Sequence, residues 1–232
     1  MIRDNDMDIK YDDIRKNEKI RTLVDKANEN LQVLGYTDHG PRHVGYVSRI
    51  AGEILEKLDY PQERIELAKI AGWTHDVGNL INRKMHAISG AIMLFDELQQ
   101  IGVNISDVCD ICSAVGSHDE EIGQPVSDIS AALIIADKVD AYKARVRIEH
   151  VDMNDIHDRV NLAIYETDVR VSKEKNQITL ELKMKDHATP MEFLQIYLSR
   201  MLMCEKSAEF LNCTFKLVIN GLVMNKLGGQ QI

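Results

Sequence analysis

A histidine and an aspartate stand side by side in Trp73-Thr74-His75-Asp76-Val77-Gly78-Asn79, and their adjacency constrains this chain more than any other feature. The segment before them, residues 63–73, has helical apolar spacing, with Ile65, Ala68, Gly72 and His75 along one side. Neighbouring side chains on a regular helix diverge by about 100°. Both can face one point only where the helix ends or distorts, and Gly78 downstream permits such a turn. An imidazole nitrogen with a carboxylate oxygen suits a hard or borderline divalent cation. An ordinary helix terminus is the simpler reading of an isolated His-Asp pair, so its meaning depends on what the rest of the chain brings to it.

The flanking sequence reads as helices separated by clear breaks. Over residues 11–34, Ile14, Ile20, Leu23, Val24, Ala27, Leu31 and Leu34 fall near one face, which predicts one helix closed by Gly35. Gly40-Pro41 interrupts the chain, and Pro41 suits the first turn of the next helix. There His43, Val47, Ile50 and Ile54 recur at offsets of 0, 4, 7 and 11, so His43 continues a buried stripe. His86, Gly90 and Met93 share a face of a helix expected over 83–98, where Ala87, Gly90 and Ala91 allow close approach to a neighbour. A helix over 105–115 runs into Gly116-Ser117-His118-Asp119-Glu120-Glu121, whose acidic end reads as a solvated loop. Ser127 or Asp128 caps an apolar helix expected over 129–144, with Leu133, Asp137 and Asp140 on one side. A carboxylate among Ala, Leu and Ile is costly to bury uncompensated. It meets a cation or lies on the exposed side, and Lys138, about 100° away around the helix, is not its sole partner.

After Ala163 the period changes. Val169-Arg170-Val171 and residues 178–184 alternate with period two around a polar turn at 173–177, a β-hairpin signal. Residues 190–210 read as a helix with the stripe Phe193, Ile196, Tyr197, Met201 and Cys204, and 214–219 as a third strand. The expected division is a helical domain over 1–160 and a small α+β unit over 161–232, with a loose tail after Met224. At 232 residues and 44% apolar the chain fills a core, and 5% aromatic residues with abundant Leu, Ile, Val and Ala favour helices. A net charge of -9 leaves no basic surplus for coating nucleic acid. No run approaches the length of a membrane span, and the polar start Met1-Ile2-Arg3-Asp4-Asn5-Asp6 does not read as a secretory signal. Four cysteines are too sparse for a disulfide framework, and Cys109-Asp110-Ile111-Cys112 lies in a helical run with no second pair. Reduced thiols in a cytoplasm are the expectation. His150, His157 and His187 have no visible partners and read as surface residues.

The helical part thus offers His43, His75, Asp76, His86, His118 and Asp137, mostly from different helices or helix ends, as bundle cores do when they build metal sites. Four imidazoles and two carboxylates can hold two cations, and Asp76, with two oxygens, is the natural bridge. The order His … His-Asp … Asp on helices resembles the HD-domain metal-dependent phosphohydrolases over residues 30–145, at His43, His75, Asp76 and Asp137. Met85-His86-Ala87-Ile88-Ser89-Gly90-Ala91 and Gly116-Ser117-His118 resemble the further histidine segments of the binuclear subfamilies. The chain departs from the HD-GYP pattern, since Asp119 follows His118 and no Gly-Tyr-Pro occurs.

The resemblance implies a mainly α fold, an HD-type helical bundle, here with a C-terminal α+β appendage of three strands and one long helix. It implies one or two divalent ions (Mn, Fe, Zn, Ni, Co or Mg) and hydrolysis of a phosphate ester or anhydride, with a nucleotide as the expected small-molecule partner. His75 and Asp76 would be the catalytic pair. Lys138, Arg42, Arg83 and Lys84 are candidate phosphate contacts, and His39 a candidate support for His43. A homodimer is compatible with the apolar faces of the appendage. Two other functions share the scaffold: a di-iron oxygenase of the same superfamily, and a non-catalytic metal-stabilised sensor or interaction module.

Overall fold

The computed structural model describes residues 9–147 and 151–225; the expectations for the first six residues, for His150 and for the tail beyond Asn225 lie outside them. Nine α-helices and four strands follow in the described residues. The helical part comprises α1 (Tyr11–Lys16), α2 (Glu18–Val33), α3 (Pro41–Lys57), α4 (Gln62–Thr74), α5 (His86–Ile101), α6 (Ile105–Gly116) and α7 (Asp128–Lys138), with a 3-10 turn at Val77–Leu80 after α4 and another at Lys143–Arg145 after α7. Then come α8 (Ile156–Ala163), β1 (Ile164–Ser172), β2 (Gln177–Met184), α9 (Pro190–Phe210), β3 (Thr214–Ile219) and β4 (Leu222–Val223).

Local chemistry explains most of the punctuation. The helix expected over 11–34 is two, because Asn17 leaves helical geometry and its side chain accepts the N–H groups of Lys19 and Ile20, restarting the chain as an N-cap. Gly35 at φ 80 closes α2, with Tyr36 N–H returning to Leu31. Ser127 caps α7 reciprocally with Ser130. That helix ends at Lys138, not at 144: Asp140 lies beyond it, and Arg145 Nη1 takes the Asp140 carbonyl at 3.3 Å. α5 starts at His86 rather than 83, after Met85 at φ 64.

The hairpin β1–β2 is antiparallel, as the period-two segments implied, and β3, the expected third strand, joins β2 in parallel through the α9 crossover. The sheet order is β1-β2-β3-β4; the two-residue β4 and the short α8 are additions to the expected appendage. The α9 stripe Phe193, Tyr197, Met201 and Cys204 is buried, and α9 packs on α7 as well as on the sheet. This second contact carries the appendage to the functional cavity. In the helical part α3 crosses α4 closely. A Cβ on Gly72 would lie 2.6 Å from Ser48 Cα, so only glycine lets the two backbones approach this closely. That crossing sets His43 and His75 side by side, ring centroids 5.2 Å apart.

Candidate metal centre

His75 is the C-cap of α4 and Asp76, at φ -96 and ψ 2, opens the 3-10 turn, so the adjacent pair sits at the helix end that its spacing demands. Gly78 serves this turn differently from expectation. It permits close approach, not a special φ: a Cβ there would come 1.9 Å from His86 O, so glycine alone admits the start of α5 and delivers His86.

All six expected donors converge. His43 Nε2 lies 3.3 Å from Asp137 Oδ1 and 3.7 Å from Asp76 Oδ2. His75 Nε2 lies 3.2 Å from Asp76 Oδ2 and 3.6 Å from Asp137 Oδ1. His86 Nε2 is 3.4 Å from Asp76 Oδ1 and 3.1 Å from His118 Nε2. Asp76 therefore turns one oxygen to His43 and His75 and the other to His86. The ligand atoms of three groupings, His43-His75-Asp76, His75-His118-Asp137 and Asp76-His86-His118, each lie within 4.8 Å of one another.

The outer nitrogens are anchored. Nδ1 of His43 is 2.7 Å from Asp140 Oδ2, that of His75 is 2.9 Å from Gly72 O, and that of His118 is 2.6 Å from Val115 O. Nδ1 of His86 is 3.1 Å from both Arg83 O and Asp119 Oδ2. Every one of these partners is an acceptor, so Nδ1 carries a proton, and each ring in its neutral form keeps its lone pair on Nε2, pointing inward. Buried His43 Nε2, His75 Nε2 and Asp76 Oδ2 have no hydrogen-bond partner among the described residues. Such atoms are costly to desolvate. Two facing imidazole lone pairs at 3.1 Å are likewise unfavourable unless a proton or cation lies between them. Divalent cations would satisfy these atoms, so the donor set fits one shared by His43, His75 and Asp76 and another between His86 and His118.

The electrostatics agree. Burial opposes charge on Asp76 and Asp137, yet His75, His39 and His86 hold Asp76 well below the carboxylate range, and Lys138, His43 and His75 do the same for Asp137. Burial also opposes a charge on His75, but the two carboxylates lift it to about 10. His118 is pushed down to about 3 by burial and by its histidine neighbours.

Around this core lie residues that sequence reading placed elsewhere. Asp140, 2% exposed, is the partner of His43 and of Arg42. His39 instead pairs with Thr37 O and Arg145 Nη2 and packs edge-on against His43. Asn79 Nδ2 donates to Asp76 Oδ1 at 2.8 Å. The acidic loop is not merely solvated: Asp119 faces His86, and Glu120 bridges Lys138 at 2.6 Å and Arg200 at 3.0 Å. Lys138 does pair with its neighbour Asp137, at 2.7 Å. Of the candidate phosphate contacts, Arg83 and Lys138 line a cavity of about 510 Å³ over the cluster. Arg42 does not, being turned to Asp38 and Asp140, and Lys84 is exposed away from it. Exposed His157 stands on the cavity rim beside Asp155, whereas His187 is a surface residue. Asn161, Tyr197 and Arg200, which carry no local signal, reach the cavity from α8 and α9. No described helix is long and apolar enough to cross a membrane.

Residues 42–145 match the family model described as HD domain, a span that contains all six donors and Asp140. The chain is similar to an uncharacterized protein of Methanocaldococcus jannaschii, 24% identical over 201 residues, 77% of each chain. It is also similar to the crystal structure of a predicted HD superfamily hydrolase from an uncultured Thermotogales bacterium. That match is 26% identical, covers 53% of this chain and 67% of that one, and has a TM-score of 0.44.

Proposed function

From the match of residues 42–145 to the HD domain, we propose that this chain is a metal-dependent phosphohydrolase of the HD superfamily. Its substrate would be a phosphate ester or anhydride of a small molecule, a nucleotide first among the candidates. One observation carries the proposal: four Nε2 atoms, each on a ring anchored through Nδ1, converge with two carboxylates, and Asp76, His86, His118 and Asp137 of that cluster line a cavity.

His43, His75, Asp76 and Asp137 would hold one cation, and Asp76, His86 and His118 a second, with Asp76 shared through its two oxygens. Four imidazoles favour Mn, Fe, Co, Ni or Zn over Mg. Divalent cations bound there lower the pKa of a coordinated water and neutralise phosphoryl oxygens. The protein's own part is positional. Asp140 keeps His43 in the ligating tautomer, Asn79 fixes the rotation of Asp76, and Lys138 and Arg83 present positive charge along the cavity wall toward a phosphoryl group.

Metal analysis of freshly purified protein, with a Mn²⁺-supplemented screen of nucleotides, dinucleoside polyphosphates, cyclic nucleotides and phosphomonoesters, tests the proposal. At least one transition metal per chain is expected. Hydrolysis of one class should be lost by several orders of magnitude in D76A. A metal-loaded protein inert toward every phosphate, or one whose turnover requires dioxygen, would overturn it.

A further inference from the structure

Arg200 enters the cavity from α9, outside the residues that match the HD domain. Its Nε donates to Glu120 Oε1 at 3.0 Å, Glu120 Oε2 lies 2.6 Å from Lys138 Nζ, and Lys138 Nζ lies 2.7 Å from Asp137 Oδ2. Arg200 is therefore linked through two side chains to a carboxylate of the metal cluster. Among the described residues its two terminal nitrogens make no hydrogen bond. The guanidinium lies over the Tyr197 ring, 5.0 Å from its centroid. That ring is held in turn by stacking on Phe193 at 4.7 Å and by its hydroxyl, which donates to Asn161 Oδ1 at 2.5 Å. The result is a planar fork fixed from behind, facing a cavity, with donors to spare.

We propose that this fork receives a second anionic group of the substrate. The substrate would then be a small compound with two acidic groups in series, such as a phosphoanhydride, its reacting phosphoryl group at the cluster and its neighbouring anion at Arg200. The proposal rests on the phosphohydrolase reading above. A guanidinium matches phosphate or carboxylate oxygens in bidentate fashion, and one held in place beforehand loses little freedom on binding. Glu120 orients Arg200 through Nε and leaves the other nitrogens for a ligand. The carboxylates of Asp152, Asp155 and Asp158 border the same cavity and disfavour a third anionic group. The volume of about 510 Å³ suits one such small ligand.

The test is calorimetric titration of the Mn²⁺-loaded full-length protein with methylphosphonate and with methylenediphosphonate, neither of which has a hydrolysable P–O–P bond. The wild type should bind the diphosphonate at least about tenfold more tightly, as expected for hydrogen bonds to a charged group. In R200A that ratio should fall toward one; comparing ratios cancels chelation of free Mn²⁺. R200K keeps the charge and the helix packing but lacks the fork, and should lose most of the preference. Equal affinities in the wild type, or a preference that persists in both variants, overturn the proposal and leave the phosphohydrolase reading standing. Failure of both phosphonates to bind overturns the two together.

Discussion

Replacing Asp140 by asparagine isolates the role of a residue that touches no expected metal position itself. Asp140 is 2% exposed; it accepts from His43 Nδ1 at 2.7 Å and from Arg42 Nη2 at 2.8 Å and Nη1 at 3.4 Å. Asparagine keeps the shape and one acceptor oxygen but loses the negative charge facing His43 Nδ1. Changes to such supporting partners typically cost about 10–100-fold in metal affinity, equivalent to about 1.4–2.8 kcal/mol. The loss should fall near tenfold for D140N, which still accepts from Nδ1, and nearer a hundredfold for D140A. Arg42 is one-third exposed, so its pairing adds at most about 1 kcal/mol to stability. Competition with a fluorescent chelator for Mn²⁺ measures the affinity, and thermal melting with and without Mn²⁺ separates it from folding. If D140N binds Mn²⁺ within twofold of wild type while H43Q loses it, Asp140 does not tune His43 and the reasoning fails.

Three further outcomes are expected. Because the carboxylates raise His75 to about 10 in the metal-free cluster, it is protonated at neutral pH; Mn²⁺ binding should release that proton, and affinity should climb with pH toward that value. Calorimetry in buffers of differing ionisation enthalpy counts the proton, and a count of zero would refute this account. G72A places a methyl 2.6 Å from Ser48 Cα and should cost at least about 1–3 kcal/mol, lowering the melting temperature by several degrees; an unchanged melt contradicts the α3–α4 crossing. At Asp128, burial alone would raise the pKa, but Arg64 holds it below the usual carboxylate value. A depressed folded-state pKa stabilises above the unfolded value of about 4 and is lost as pH falls through the folded one. Stability should therefore drop between pH 5 and 3, and drop less in R64M, as pH-dependent melting would show.

Much of this was legible in residue order. Adjacent His75 and Asp76 can share a target only at a helix end, and the chain ends α4 there. His43 occupies the apolar stripe of α3 because the 3.6-residue period places it in line with Val47, Ile50 and Ile54, all buried with it. Asp140 was harder to place. Helical periodicity set it beside Asp137, whereas it leaves α7 to meet His43 and Arg42. The acidic loop after His118 looked solvated because nothing near it in sequence demands a carboxylate; its partners Lys138 and Arg200 are 18 and 80 residues away.

Residue order alone specifies the helical faces, the breaks between them and a set of donor types suited to a divalent cation. Those follow from local rules: periodicity, capping chemistry and the reluctance of charge to be buried alone. Packing sets which oxygen of Asp76 faces which histidines, makes Gly78 a point of close approach, and brings Arg200 on α9 into the cavity that borders the cluster. Such convergences depend on crossing angles and rotamers set by packing between segments far apart in the chain, and a local pattern of apolar and polar residues does not encode them.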